Sequence, residues 1–246
     1  MDRHRERRRV EGLVGKEVLA LVVVACGLLV VGTAWWRASE RRRLDLDSFR
    51  NLQQWGIALN LCLMDQQHRL PEIGPREPDP EAMRAWYNLL PPYLAQPRLS
   101  DLAPERRPRP GERTLWGDSL SRITEAPTNG KAWFGYAMNR YLHPTPRSPA
   151  LRIHDLEDPG RTVFLAEVSG TDPGALPAQV VFRRGPKSPS PDARAYVLYC
   201  DGHAALVTKG RLVDDPAVID PDSPAADGPR WIPHRNALEP DPYLAE

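Results

Sequence analysis

Residues 18–36 read VLALVVVACGLLVVGTAWW, nineteen residues without a charged side chain. As a helix rising about 1.5 Å per residue, this run spans about 28 Å, close to the hydrocarbon core of a bilayer. Trp35 and Trp36 end the run with indole rings, which favour the membrane interface. Arg37 and the cluster Arg41–Arg43 follow directly. The run therefore predicts a transmembrane helix, with the rest of the chain outside the bilayer.

Charges on either side of this run predict its orientation. Residues 1–17 contain six Lys and Arg residues, and residues 37–47 contain four. Since cytoplasmic flanks carry the larger positive charge, this count favours a cytoplasmic N-terminus. A cleavable secretory signal is disfavoured because the run is long and lacks a small-x-small cleavage site. A lipoprotein box ending at Cys26 is also disfavoured, because apolar residues continue after it through Val31.

Composition limits what the remainder can be. The chain has 246 residues, enough for one domain plus an anchor, with 33 Lys and Arg against 32 Asp and Glu. Such balanced charge gives no overall field for nucleic acid, so no nucleic-acid partner is expected. The 27 prolines are about twice the average usage and predict long irregular connections.

The next segment has a helical pattern of apolar residues. Leu44, Phe49, Leu52, Leu59 and Leu63 recur three to seven positions apart, with Trp55 or Gly56 between them and polar residues on the opposite face. The pattern predicts that the transmembrane helix continues to about residue 67. Pro71 and Pro75 are expected to end it.

Strand signals come late in the chain. A short helix at Trp86–Leu94 is expected among proline-rich loops that extend to residue 130. The dipeptide Asp201-Gly202 predicts a hairpin in which both residues have positive φ. The segment from Asp214 onward lacks periodicity and is expected to be irregular. Four short runs rich in Val, Leu, Tyr and Phe predict strands: Arg161–Val168, Gln179–Arg183, Ala195–Cys200 and Ala204–Lys209.

Two compact polar groupings are candidates for chemistry, His154-Asp155 and Asp201-Gly202-His203. Turn chemistry is the favoured interpretation of both, although such side chains can also bind a divalent cation. The six histidines lack metal-ligand spacing, and no phosphate loop, nucleophile elbow or zinc-protease helix occurs. We therefore expect no catalytic residue, metal or cofactor, and no enzymatic activity. Arg106–Arg113 is interpreted as a solvated loop, and pairing of Cys62 with Cys200 stays open.

A resemblance to a known family begins at the N-terminus. A basic leader ends at Gly12, Leu13 follows, and Glu17 stands at the start of the apolar run. This arrangement resembles the prepilin-type cleavage/methylation segment of type IV pilins and type II secretion pseudopilins. The resemblance implies cleavage by prepilin peptidase after Gly12, methylation at Leu13 and a role for Glu17 in assembly, where its carboxylate would meet the new N-terminal ammonium of a neighbouring subunit.

Further segments, in the same order as in the family, resemble a large processing-associated group of pseudopilin-like proteins that ends in an Asp-Gly signature. The segment Ala195–His203 resembles that signature around Asp201 and Gly202. The other matching segments are Asn51–Leu59, Asp65–Pro71, Trp86–Leu94, Phe134–Asn139 and Arg161–Glu167.

The resemblance implies a pilin-like α+β fold: a long N-terminal transmembrane helix packed on a small antiparallel sheet with long proline-rich loops. It divides the chain into a leader (1–12), a transmembrane helix and flank (13–43), an α+β head (44–213) and an irregular tail (214–246). The protein is then expected in the bacterial inner membrane, with a periplasmic head and with other pseudopilins as partners.

An uncleaved single-pass membrane protein is the alternative. Gly15 and Lys16 interrupt the apolar segment, and Pro191 stands where the family usually has histidine. In this case the leader stays attached, and the periplasmic domain binds a ligand or a partner protein.

Overall fold

The computed structural model describes residues 3–117, 120, 131–144, 151–186, 190–212 and 228–232, and over residues 3–17 it describes the backbone alone. The chain divides into two compact units, Met1–Leu44 and Asp45–Glu246. The first unit is part of one long helix. The second contains a helix end, a five-stranded sheet and several short helical turns.

Helix α1 comprises Arg3–Asp65 and so continues from the apolar run into the second unit, as predicted. The prediction that Pro71 ends the helix is wrong, since α1 already ends six residues earlier, at Asp65. The cause is backbone geometry: Gln67 and His68 have φ of 53° and 64°, in the left-handed region. The His68 N–H donates to the Leu63 carbonyl at 2.7 Å, which closes the last turn as in a Schellman motif.

Within the second unit, α1 buries one face. Leu52, Trp55, Ala58, Leu59 and Cys62 are fully buried there, which confirms the predicted apolar periodicity. The opposite face is not purely polar. Ile57, Leu61 and Met64 lie exposed on it beside Gln53 and Asn60.

The sheet has the strand order β3-β1-β2-β4-β5. It is mixed rather than purely antiparallel, since β1 and β3 pair in parallel while the other pairs are antiparallel. The α+β class is therefore confirmed, and the prediction of an antiparallel sheet is wrong for the pair β1 and β3. The strands are β1 Phe134–Asn139, β2 Val163–Gly170, β3 Gly174–Ala175, β4 Arg194–Tyr199 and β5 Ala204–Thr208.

Three of the four predicted strands are present as β2, β4 and β5. Gln179–Arg183 is not a strand. A 3-10 turn covers Pro177–Gln179, and the residues after it make a single bond to β2, in which the Val181 N–H donates to the Glu167 carbonyl at 2.9 Å. Strand β1 was not predicted. All six of its residues are buried, so it has no alternation between apolar and polar positions to signal a strand.

Apolar side chains cover both faces of the sheet. Strand β4 alternates between the two layers: Leu198 joins the cluster that contains α1, while Ala195 and Val197 join the opposite cluster. Trp231, from the segment 228–232, completes that second cluster, and its carbonyl accepts a hydrogen bond from Asn139 Nδ2 at 2.7 Å. That described part of the tail is therefore packed on the sheet.

The proline-rich region forms short turns around an aromatic cluster. Helix α2 comprises only Trp86–Leu89, and Pro91–Leu94 continues as a 3-10 turn with proline in its first positions. The ring of Trp86 meets that of Trp55 edge-on at 5.5 Å and lies 5.8 Å from that of Trp116. Helix α3, Lys209–Leu212, follows β5 directly.

Candidate functional site

The first functional feature is the apolar segment of α1. Its large side chains from Val18 to Trp36 are all exposed, with Trp35 at 73% and Leu21 at 69%. By length and composition α1 can cross a membrane, and it is the one such helix among the described residues. An exposed apolar surface of this extent needs a lipid or protein partner to be stable in water.

The Asp201-Gly202 turn lies between β4 and β5. Gly202 N–H donates to the Tyr199 carbonyl at 3.0 Å, and Tyr199 N–H donates to the His203 carbonyl at 2.9 Å. Gly202 has φ of +92°, whereas positive φ among described non-glycine residues occurs only at Gln67, His68 and Ala95. The hairpin therefore has a three-residue loop with one left-handed glycine, and the expectation of two positive φ values is wrong.

This turn packs against α1 through two glycines. A Cβ on Gly56 would lie 2.1 Å from the Gly202 carbonyl oxygen, and a Cβ on Gly202 would lie 2.3 Å from Asn60 Nδ2. Neither position has room for a side chain. The helix residue and the turn residue thus make one close backbone contact between α1 and the sheet.

The polar groups of the turn are occupied with one another. Asp201 Oδ1 accepts the His203 N–H at 3.0 Å and lies 2.7 Å from His203 Nδ1. The His203 ring stacks on Tyr199, with ring centres 4.4 Å apart. This is an Asx-type turn that orients an exposed imidazole, as the favoured interpretation of Asp201-Gly202-His203 required.

A charged cluster links α1 to the inner strands β2 and β4, and no pattern in the sequence predicts it. Glu167 is fully buried and pairs with Arg184, which also pairs with Asp45 of α1. Glu167 Oε2 accepts the Tyr196 N–H at 2.9 Å, and the Arg184 guanidinium lies 4.1 Å above the Tyr196 ring. The cluster joins the start of α1 in this unit to β2 and β4.

Part of the arginine-rich segment Arg106–Arg113 borders a cavity of about 550 Å³. Arg106 and Arg113 are both exposed there, next to Gln54 of α1 and to Gln96. The Thr114 carbonyl accepts a hydrogen bond from Asn51 Nδ2 at 2.9 Å, so the segment is held on α1 rather than extending freely into solvent. Two guanidinium groups make this cavity suited to an anionic group.

The two thiols in the second unit are free and buried. Burial raises the pKa of Cys62 to about 11 and raises that of Cys200 as well, so both are protonated at neutral pH. The possible Cys62–Cys200 bridge is not formed. Neither thiol has the lowered pKa that a reactive cysteine requires.

The structure brings His154 next to His68, which the sequence did not link. Their ring centres are 4.6 Å apart. Among the described ranges, no group of three or more His, Cys, Asp or Glu side chains is placed to hold a metal ion. The predicted processing and assembly residues Gly12, Leu13 and Glu17 lie in α1, but their side chains are outside the described part of the structure.

Comparison with protein-family models, with curated proteins and with solved structures finds no match for this chain.

Proposed function

We propose that this chain is a membrane-anchored, pseudopilin-like protein, a structural or recognition component of an assembly of the type II secretion or type IV pilus kind. Residues 18–36 would cross the bacterial inner membrane, with the N-terminus in the cytoplasm and the second unit in the periplasm. Prepilin peptidase would cleave after Gly12. The processed chain would act by packing against other subunits and by recognition, and not by catalysis.

The observation that carries this proposal is the double role of α1. One helix provides both the exposed apolar segment from Val18 to Trp36 and, between Leu52 and Leu63, the buried centre of the second unit. In such an assembly the apolar segments of neighbouring subunits pack against one another in the membrane. Glu17 would set the register of these segments. Placing its carboxylate at the edge of a bilayer costs free energy unless a cation neutralises the charge, so the carboxylate would pair with a cation of the neighbouring subunit.

Intact mass and N-terminal sequencing of the protein from its native membranes test the proposal. The expected mature chain begins at Leu13 and carries one added methyl group on its amine. A Gly12→Leu variant is expected to keep its leader while remaining in the membrane, which separates processing from insertion. A native chain that retains Met1 would contradict the cleavage step and would leave a simple anchored domain.

Assembly is tested separately through Glu17. A Glu17→Ala variant is expected to insert normally but to lose crosslinking between subunits within the membrane. A Glu40→Ala variant removes one carboxylate beyond the apolar run and serves as the matched control. Equal crosslinking of the Glu17→Ala variant and the wild type would show that this carboxylate does not act in assembly.

A second function, an uncleaved anchored domain that binds a ligand or partner, is favoured by the cavity beside Arg106 and Arg113. Its cationic rim suits a carboxylate or phosphate group. Retention of residues 1–12, together with anion binding that is lost in an Arg106→Gln/Arg113→Gln variant, would identify this function instead.

A further inference from the structure

His68 and His154 form an exposed pair of imidazoles on the second unit. Their ring centres lie 4.6 Å apart with an angle of 54° between the ring planes, although 85 residues separate them in the sequence. Both side chains are accessible to solvent. Only the tertiary fold brings these two nitrogen donors together.

The backbone around the pair is firmly held. Ile153 N–H donates to the His68 carbonyl at 2.8 Å, and Leu70 N–H donates to the Leu151 carbonyl at 2.9 Å. These two bonds flank an antiparallel bridge between Arg69 and Arg152. The left-handed φ of 64° at His68 belongs to the turn that ends α1, so the direction in which its side chain leaves the backbone is set by that turn.

We propose that His68 and His154 together bind a divalent transition metal ion, Cu²⁺ most tightly, through one ring nitrogen each. A metal–nitrogen bond of about 2.1 Å puts each ring centre about 3.2 Å from the ion. Two imidazoles at a right angle around one ion then have ring centres about 4.5 Å apart, against about 5.2 Å at a tetrahedral angle. The observed 4.6 Å lies close to the first of these spacings, and Cu²⁺ is the preferred ion because it binds imidazole most tightly among the divalent first-row metals.

Charges around the pair act in both directions. The C-terminal end of α1, at Asp65, favours a cation, while Arg69 and Arg152, which follow His68 and precede Ile153 in the sequence, add positive charge to the same two segments. Asp155 is adjacent, but its Oδ2 accepts the Arg152 N–H at 2.7 Å, and within the described segments no third His, Cys, Asp or Glu side chain joins the pair. Water therefore completes the coordination, and the ion stays exchangeable.

Copper titration of the untagged, full-length protein in detergent tests this site. The titration is carried out at about pH 7.5, because metal binding to imidazole is pH-dependent. We expect one tight Cu²⁺ equivalent by calorimetry, with an electron spin-echo spectrum that shows two equatorial imidazoles. His68→Gln and His154→Gln should each weaken binding at least about tenfold, since loss of even an outer-sphere partner costs about that much.

The matched control is His203→Gln, which removes an exposed imidazole elsewhere. It should leave the tight equivalent and the two-imidazole spectrum unchanged, while each single variant of the pair shows one imidazole. Circular dichroism verifies that the variants fold. Weak binding that falls equally in all three variants, or a wild-type spectrum with a single imidazole, would overturn the proposal. The site is independent of the proposed function, because leader cleavage and subunit crosslinking do not depend on it.

Discussion

At the scale of single residues, Glu167 is a charged side chain that the fold buries completely. Its carboxylate is fully buried, and its counter-charge comes from Arg184, which also pairs with Asp45. A buried ion pair adds little stability in itself, because desolvation offsets the attraction. Removing one partner is nevertheless costly, since the other charge stays buried without compensation.

Glu167→Gln is therefore expected to lower the free energy of unfolding by about 3 kcal/mol. Urea denaturation of the detergent-solubilised protein measures this change. The control is Asp47→Asn, which breaks a solvent-accessible pair with Arg50 at 3.9 Å and should change stability by less than about 0.5 kcal/mol. Equal stability of the two variants would mean that Arg184 does not depend on this carboxylate.

At the scale of elements, the contact between α1 and the β4–β5 turn determines how helix and sheet fit together. Gly56 of the helix faces the Gly202 carbonyl, and Asn60 one turn later covers Gly202 itself. In an isolated helix alanine is favoured over glycine by about 1 kcal/mol. Gly56 is thus unfavourable for the helix alone and is explained by the contact.

Gly56→Ala should consequently destabilise the protein by about 1–3 kcal/mol despite the better helix propensity, because the new Cβ would lie 2.1 Å from the Gly202 oxygen. Thermal unfolding followed by circular dichroism provides the measurement. Gly170→Ala is the matched control: its Cβ would meet no atom within 4 Å, so little change is expected. A stabilised Gly56→Ala protein would show that helix and turn can separate without cost.

At the scale of the whole molecule, burial of weak acids links stability to alkaline pH. Burial raises the pKa of Cys62 from 9.0 to about 11 and that of Tyr199 from 10.0 to about 12. In the folded protein these groups hold their protons, whereas in the unfolded chain they release them at lower pH. Their contribution to stability is complete below about pH 9 and is lost as pH rises through the folded values.

The melting temperature should accordingly stay level between about pH 7 and pH 9 and fall steadily above that range. Melting curves measured in steps of pH provide the test, and absorbance of tyrosinate in the folded protein locates the tyrosine ionisation. A melting temperature that is unchanged at about pH 11 would contradict the effect of burial on these groups.

Local patterns in the sequence predicted several elements correctly. The spacing of Leu52, Leu59 and Leu63 indicated the buried face of α1, and a run rich in Val, Leu and Tyr indicated β4. The turn at Gly202 followed from its glycine. For the metal pair the sequence offered only scattered histidines, and the charged cluster at Glu167 had no pattern at all.

The sequence alone determined the long apolar helix, the α+β class, three strands and the turn between β4 and β5, because each depends on residues close together in the chain. Tertiary structure decided the position of β1 between β3 and β2, the parallel pairing of β3, the end of α1 at Asp65 and the meeting of His68 with His154. These features arise where distant segments pack together. The spacing of apolar residues along a helix or strand indicates which of its faces is buried, but it does not indicate which distant segment covers that face.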